Sequence, residues 1–181
     1  MGRDKALIPI QGVPLIRQVC EVAQNCADPV YIVTSWPEQY QDILPGNCQL
    51  IREMPMTGDN KPAGPLVGFA GGLARVQTDW VLLLACDLPR LRVEVLQEWA
   101  THLENVPEDK IAFLPRNPKG WEPLCGFYRR RCLPLVIEFI NQGGRSFQQW
   151  LAQHPVEELP LSDAQVLFNC NTPADLAALD N

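Results

Sequence analysis

Asp87 directly follows Trp80-Val81-Leu82-Leu83-Leu84-Ala85-Cys86, the clearest apolar run in the chain, and Leu88-Pro89 then turns the chain away. A carboxylate at the carboxyl end of a buried strand points into the ligand crevice of an open α/β sheet. There it can hold Mg2+, a hard cation that takes oxygen ligands and keeps substrate phosphates in its shell. The plainer role, a cap on the next helix, fits poorly because Pro89 and several further residues intervene. Lys5, with Arg3 beside it, offers a compact charge and a bidentate fork for phosphate oxygens; read from Met1-Gly2-Arg3-Asp4-Lys5 alone, a solvated charged terminus is the better reading, because charged termini are ordinary. A third set lies in residues 53–68, with Glu53, Asp59, Lys61 and Gly64-Pro65-Leu66-Val67-Gly68. A glycine-rich turn entering a helix lets backbone approach a ligand closely, though a surface loop would look the same. The fourth is Asn169-Cys170-Asn171-Thr172-Pro173-Ala174-Asp175-Leu176. At strand spacing Asn169 and Asn171 share a face, and Thr172 before Pro173 reads as a helix cap.

Alternating strand and helix patterns must position these groups. Residues 12–27 place Leu15, Ile16, Val19, Val22, Ala23 and Cys26 on one side of an amphipathic helix. Residues 29–34 read as a buried strand, 38–43 as a short helix and 48–52 as a strand. Pro65 opens a helix, 80–86 is a central strand, 92–104 a helix and 110–114 a strand. Residues 116–120 form a turn and 125–130 a strand. Helices follow at about 133–141 and 145–153, then a strand at 166–170 and a last helix from Pro173. This order predicts a single α/β domain over residues 1–181, an open, mostly parallel sheet covered by helices on both faces.

Composition narrows the function. Fifteen basic against twenty-one acidic residues give a net charge of −6, and the longest basic run is Arg129-Arg130-Arg131. Nucleic acid is a poor partner for such a surface, because affinity for it rests on neutralising phosphates. No apolar run approaches the roughly 18 residues that span a membrane. The N-terminus carries charge where a signal peptide needs an apolar stretch, which points to the cytoplasm. The seven cysteines are odd in number and lack C-x-x-C spacing, so they read as small buried hydrophobes in a reducing compartment. His102 and His154 have no ligand-like neighbours in sequence and read as surface residues.

Together these pieces resemble the molybdenum cofactor guanylyltransferase (MobA-like) family of nucleotidyltransferases. Met1-Gly2-Arg3-Asp4-Lys5 matches the tail of its L-x-G-G-x-S-x-R-M-G-x-D-K motif. Gly64 to Gly68 matches G-P-L-x-G, and Cys86-Asp87-Leu88-Pro89 matches C-D-x-P. Glu122-Pro123-Leu124-Cys125-Gly126-Phe127-Tyr128 is similar to the family's x-P-L-x-x-x-Y strand. Asn169 to Leu176 is similar to N-x-N-T-P-x-x-L. The matches run in order along the whole chain.

The resemblance implies a Rossmann-like three-layer α/β/α nucleotidyltransferase fold. It also implies transfer of GMP from GTP to phosphorylated molybdopterin, with release of pyrophosphate. By the same resemblance Asp87 holds Mg2+, Lys5 neutralises phosphate charge, and Asn171, beside Asn169, is a further contact to metal or pterin phosphate. Thr34 and Glu53 stand where relatives often carry asparagine and aspartate toward the nucleotide; a carboxylate suits the N–H donors of guanine. Beyond GTP and molybdopterin, a molybdoenzyme or cofactor-delivery protein is the implied partner. Arg145 and Ser146, after Gly143-Gly144, are further candidates for pterin contact. A relative using CTP or another phosphorylated acceptor, or a non-catalytic nucleotide- or pterin-binding module, would share many of these features. The family's first strand and its L-x-G-G-x-S-x-R turn would lie upstream of Met1, between residues 29–34 and 80–86 in the sheet. The expectation is therefore a reading frame that begins upstream, with truncation in nature as the alternative.

Overall fold

The computed structural model describes residues 4–53, 64–161, 163–170 and 175. Arg3, Asp59, Lys61, Asn171, Thr172 and Pro173 lie outside the described residues. A small hairpin, β1 (Pro9–Ile10) and β2 (Val13–Pro14), leads into α1 (Leu15–Gln24). Gln18 donates from its amide to the carbonyls of Ile10 (2.8 Å) and Val13 (3.1 Å), tying this hairpin to the helix. The helix therefore starts at Leu15 rather than at residue 12, because Val13 and Pro14 are already paired as strand.

Next come β3 (Val30–Thr34), β4 (Cys48–Arg52), α2 (Pro65–Leu73), β5 (Trp80–Leu84) and α3 (Val93–Thr101). They are followed by β6 (Ala112–Leu114), the hairpin β7 (Arg116–Asn117) and β8 (Gly120–Trp121), and β9 (Cys125–Arg129). The described elements end with α4 (Leu133–Asn141), α5 (Phe147–Leu151), β10 (Val156–Glu158) and a 3-10 turn at Ala164–Leu167.

The strand expected at 166–170 does not form. Asp163 caps the 3-10 turn instead, its Oδ1 accepting from the Gln165 amide at 2.9 Å. The late strand that does form is β10, which pairs in parallel with β6 at the edge of the sheet. Within the four-stranded sheet β10-β6-β9-β5, β9 alone runs against its neighbours. β3 and β4 form a separate parallel pair. Among the described residues neither β3 nor β5 has a ladder partner on its second edge. Both are half-buried along their whole length, although their apolar sequences read as central strands.

Side chains alternate across these strands, as the two-residue period requires. Val81 and Leu83 of β5 face a core with Leu66, Phe69 and Leu73 of α2 and Val136 and Ile140 of α4. Trp80, Leu82 and Leu84 face the other side, with Val19 of α1 and Val95, Leu96 and Trp99 of α3. A third cluster joins Ile16 and Cys20 of α1 to Ile32, Leu50, Tyr40 and Cys86. On the opposite face, a Cβ at Gly68 of α2 would lie 3.7 Å from Val33. Helices thus straddle both faces and bridge the two sheets, giving three α/β/α layers. Among the described residues no helix is long and apolar enough to cross a membrane.

Candidate functional site

β5 ends at Leu84, and the Ala85 amide donates to the Leu124 carbonyl at 2.7 Å. The chain then leaves the sheet, which places Cys86 and Asp87, both half-buried, at its carboxyl end. The Cys170 amide donates to the Asp87 carbonyl at 3.0 Å, so the end of the described chain is held against the same corner. Asn169 sits there too, but its amide is spent on the Leu167 carbonyl at 3.3 Å. The strand-like shared face expected for Asn169 and Asn171 is not present at Asn169, which follows a 3-10 turn.

Lys5 opens a 3-10 turn at Lys5–Leu7, capped by Asp4, whose Oδ1 accepts from the Ala6 amide at 3.0 Å. The turn reaches the same corner as Asp87. Burial pushes the Cys86 thiol up to about 11; the negative charges of Asp87 and then Asp4 add to that rise, and Lys5 opposes it. Cys170, also buried, is raised by burial first and then by Asp175 and Asp87, with Lys5 again opposing. Lys5 and Asp87 therefore act on both thiols and Asp4 on Cys86 alone, and both thiols remain protonated at neutral pH. Neither thiol is a nucleophile under these conditions, since reactivity needs the thiolate.

A second group stands at the ends of β3 and β4. The Glu53 amide donates to the Thr34 carbonyl at 2.8 Å, and the Ser35 hydroxyl donates to Glu53 Oε2 at 2.7 Å. Glu53 Oε1 faces the first turn of α2, 3.6 Å from where a Cβ at Gly68 would be. Gly64, at φ +93, makes the left-handed bend that sets Pro65 at the start of α2. The Trp36 amide donates to Thr34 Oγ1 at 3.2 Å.

Tyr40 connects the two groups. Its hydroxyl donates to Asp4 Oδ2, and the Thr34 side chain is close enough to oppose the rise of its pKa. Burial first, then the bond to Asp4, raises the phenol well above its usual range. The line Lys5, Asp4, Tyr40, Thr34, Glu53 therefore runs from one sheet to the other across the carboxyl ends of β3 and β5. Asp4, Tyr40 and Ser35 were not legible as site residues in the sequence. Asp4 and Tyr40 are far apart in the chain and meet only through the fold. Arg145 and Ser146 are placed elsewhere. Arg145 Nη1 donates to the carbonyls of Ile140 (2.9 Å) and Gly144 (2.6 Å), and Ser146 caps α5. His154 is half-buried beside Trp150, with ring centroids 5.3 Å apart, rather than a plain surface residue.

Among the described residues no three His, Cys, Asp or Glu side chains cluster as a complete metal cage. The donor chemistry still suits Mg2+, which binds through one or two carboxylates plus substrate phosphates and retained water. Asp87 is such a carboxylate, and no described side chain hydrogen-bonds it.

The MobA-like NTP transferase domain matches residues 1–158. A probable molybdenum cofactor guanylyltransferase of Nostoc sp. (strain PCC 7120) is 62% identical over 179 residues, covering 99% of this chain and 84% of that protein. A probable molybdenum cofactor guanylyltransferase of Synechococcus elongatus is 46% identical over 179 residues, covering 99% of this chain and 91% of that protein. The crystal structure of molybdopterin-guanine dinucleotide biosynthesis protein A from Archaeoglobus fulgidus superposes with a TM-score of 0.75 at 22% identity, covering 98% of this chain and 89% of that one. The shared fold, the family match across the motifs and the corner where Lys5 meets Asp87 lead to one conclusion: this chain belongs to the MobA-like NTP transferases and is a nucleotidyltransferase.

Proposed function

We propose that the chain transfers GMP from GTP to phosphorylated molybdopterin in the cytoplasm. A phosphate oxygen of the acceptor attacks the α-phosphorus of GTP. The bond from that phosphorus to the bridging oxygen breaks, and pyrophosphate leaves. Little covalent work falls to the protein in such a transfer, so positioning and charge neutralisation dominate. Lys5 carries the positive charge that meets the triphosphate, and Asp4 fixes the turn that presents it. Glu53, held by Ser35, accepts from N1–H and the 2-amino group of guanine, and Thr34 bonds the base or ribose. Asp87 would hold Mg2+, with Asn171 as a further contact to the metal or the pterin phosphate and Asn169 beside it in the binding set. Bound Mg2+ supplies charge stabilisation on the phosphate oxygens.

The observation that carries this reading is that Ala6, in the turn that Lys5 opens, packs in one cluster with Cys86, the neighbour of Asp87, in a chain 62% identical to a probable guanylyltransferase. The names of the relatives favour GTP over CTP. The test is pyrophosphate release with molybdopterin, Mg2+ and either GTP or CTP, for the native protein and Asp87→Asn. GTP alone should support turnover. Asp87→Asn should lower it by at least about a hundredfold, in line with the loss of a preorganised electrostatic group. Equal turnover by the variant would remove Asp87 from the mechanism, and turnover with CTP alone would replace the nucleotide.

A further inference from the structure

We propose that Cys20 and Cys48 form a thiol–disulfide exchange site, which takes a small-molecule disulfide and weakens GTP binding once the two cysteines are joined. The effect on GTP rests on the preceding reading; the cross-link itself does not. Cys20 lies on α1 and Cys48 opens β4. Both belong to the cluster packed between this helix and the β3–β4 pair, with Ile16, Ile32, Tyr40 and Leu50. Gln24 fixes how they meet. It stands one turn after Cys20 on the same face of α1, and its Nε2 donates to Cys48 Sγ at 3.0 Å. The Cys48 sulfur is therefore held against the helix face that carries Cys20. The titrations agree with that placement. Burial first, then Cys48, pushes the Cys20 thiol up to about 12, and Cys86 acts on it only through its charge. Burial raises the Cys48 thiol too, but there Cys20 and Gln24 oppose the rise.

Cys48 is half-buried and Cys20 is buried, which orders the steps. The Cys48 thiolate, favoured by the Gln24 N–H donor, attacks one sulfur of the small disulfide. That disulfide bond breaks, and the departing thiolate takes up the proton that Cys48 lost. Cys20, as thiolate, then attacks the Cys48 sulfur and expels the second half, which takes up the proton from Cys20. The protein dithiol gives up two electrons, and the small disulfide is reduced to two thiols. The mixed disulfide removes the Cys48 thiol that helped to hold Cys20 up, and proximity offsets the small thiolate fraction that remains. In a reducing compartment the dithiol is the resting form, and an oxidising excursion makes the bond.

The bond acts on the site from beneath. Ala6 of the Lys5 turn, Tyr40, whose hydroxyl holds Asp4, and Cys86, next to Asp87, pack in the same cluster. A disulfide draws α1 onto the start of β4, and a close-packed cluster transmits that shift to the turn that presents Lys5.

The test incubates the native protein, Cys48→Ser and Cys20→Ala with oxidised glutathione at pH 8.5, blocks the remaining thiols with N-ethylmaleimide and maps the peptides by mass. N-methylanthraniloyl-GTP, a fluorescent GTP analogue, is titrated against each sample after the glutathione is removed. The native protein should give a Cys20–Cys48 linked peptide. Its dissociation constant for the GTP analogue should rise about tenfold and return with dithiothreitol. Cys20→Ala should stop at a glutathione adduct on Cys48. Cys48→Ser should carry no adduct on Cys20 and keep its GTP affinity after oxidation. Serine is close in size to cysteine and position 48 is half-buried, so this variant keeps the fold should Cys20→Ala lose it. Absence of the linked peptide in the native protein would overturn the site, as would an adduct on Cys20 in Cys48→Ser. A linked peptide with unchanged GTP affinity would overturn its effect on binding. An equal loss of affinity in Cys48→Ser would do the same, by assigning that effect to another thiol such as Cys86. Reduced protein that binds no GTP analogue would sink the nucleotide reading alone, because the cross-link is read by mass.

Discussion

Replacement of Glu53 by Gln changes one atom in a contact whose geometry is defined. Oε2 accepts from the Ser35 hydroxyl at 2.7 Å, and Oε1 faces the first turn of α2. Glutamine keeps the Ser35 bond by using its carbonyl oxygen. Its NH2 group then occupies the position of Oε1 and presents donors to the donors of guanine. The loss is at least one hydrogen bond to a charged acceptor, about 1.5–3 kcal/mol. At about 1.4 kcal/mol per decade, kcat/KM for GTP should fall roughly 10- to 150-fold. Inosine triphosphate lacks the 2-amino group, so the native protein should use it less well than GTP. In Glu53→Gln the two should converge, because the group that tells them apart is gone. The assay is steady-state pyrophosphate release with each nucleotide at fixed acceptor and Mg2+. Unchanged kcat/KM for GTP, together with an unchanged GTP-to-inosine triphosphate ratio, would refute the assignment of Glu53 to the base.

Other consequences can be measured without turnover. The Cys86 thiol is raised to about 11 by burial and by the charges of Asp87 and Asp4. Alkylation of Cys86, followed by peptide mass mapping, should be slow at pH 8 in the folded protein and shift to lower pH in Asp87→Asn. Gly126 of β9 has no room for a side chain, since a Cβ would lie 2.8 Å from Leu114 Cδ2 and 2.9 Å from the Phe113 carbonyl oxygen. Gly126→Ala should therefore destabilise the fold by roughly 1–3 kcal/mol, seen as a lower Tm, while the affinity for the GTP analogue stays unchanged. Burial lowers the pKa of His154 from its ordinary value of 6.5. The unfolded chain then binds a proton first as pH falls, so stability is present above pH 6.5 and is lost as pH drops toward the folded pKa. Thermal melts from pH 7.5 to 5 should show a shallower acid decline in His154→Gln.

Much of the scaffold was legible because single residues carried strong local signals. The apolar run at 80–86 contains β5, which ends two residues earlier at Leu84, the apolar face at Leu15, Ile16 and Val19 is on α1, and Pro65 starts α2. Their ends were less legible. Gly12 reads as the first residue of a helix, yet with Gln11 it makes the turn that closes a hairpin. β10, Val156-Glu157-Glu158, is too short and too acidic to stand out, and only its pairing with β6 makes it a strand. The strand expected at 166–170 failed for the converse reason: an apolar run was read as strand where the Asp163 cap drives a 3-10 turn. In the site, Asp87 was visible because position after a buried strand is itself a signal. Asp4 and Tyr40 were not, since a bond across 36 residues leaves no trace in local pattern.

The central claim concerns which phosphorus moves. Incubation with molybdopterin, Mg2+ and GTP radiolabelled at either the α- or the γ-phosphorus tests it most directly. The account predicts that the α label appears on the pterin product, that the γ label appears only in pyrophosphate, and that Asp87→Asn yields at least about a hundredfold less of both. Label from the γ position on the pterin, or no transfer of the α label by the native protein, would contradict it.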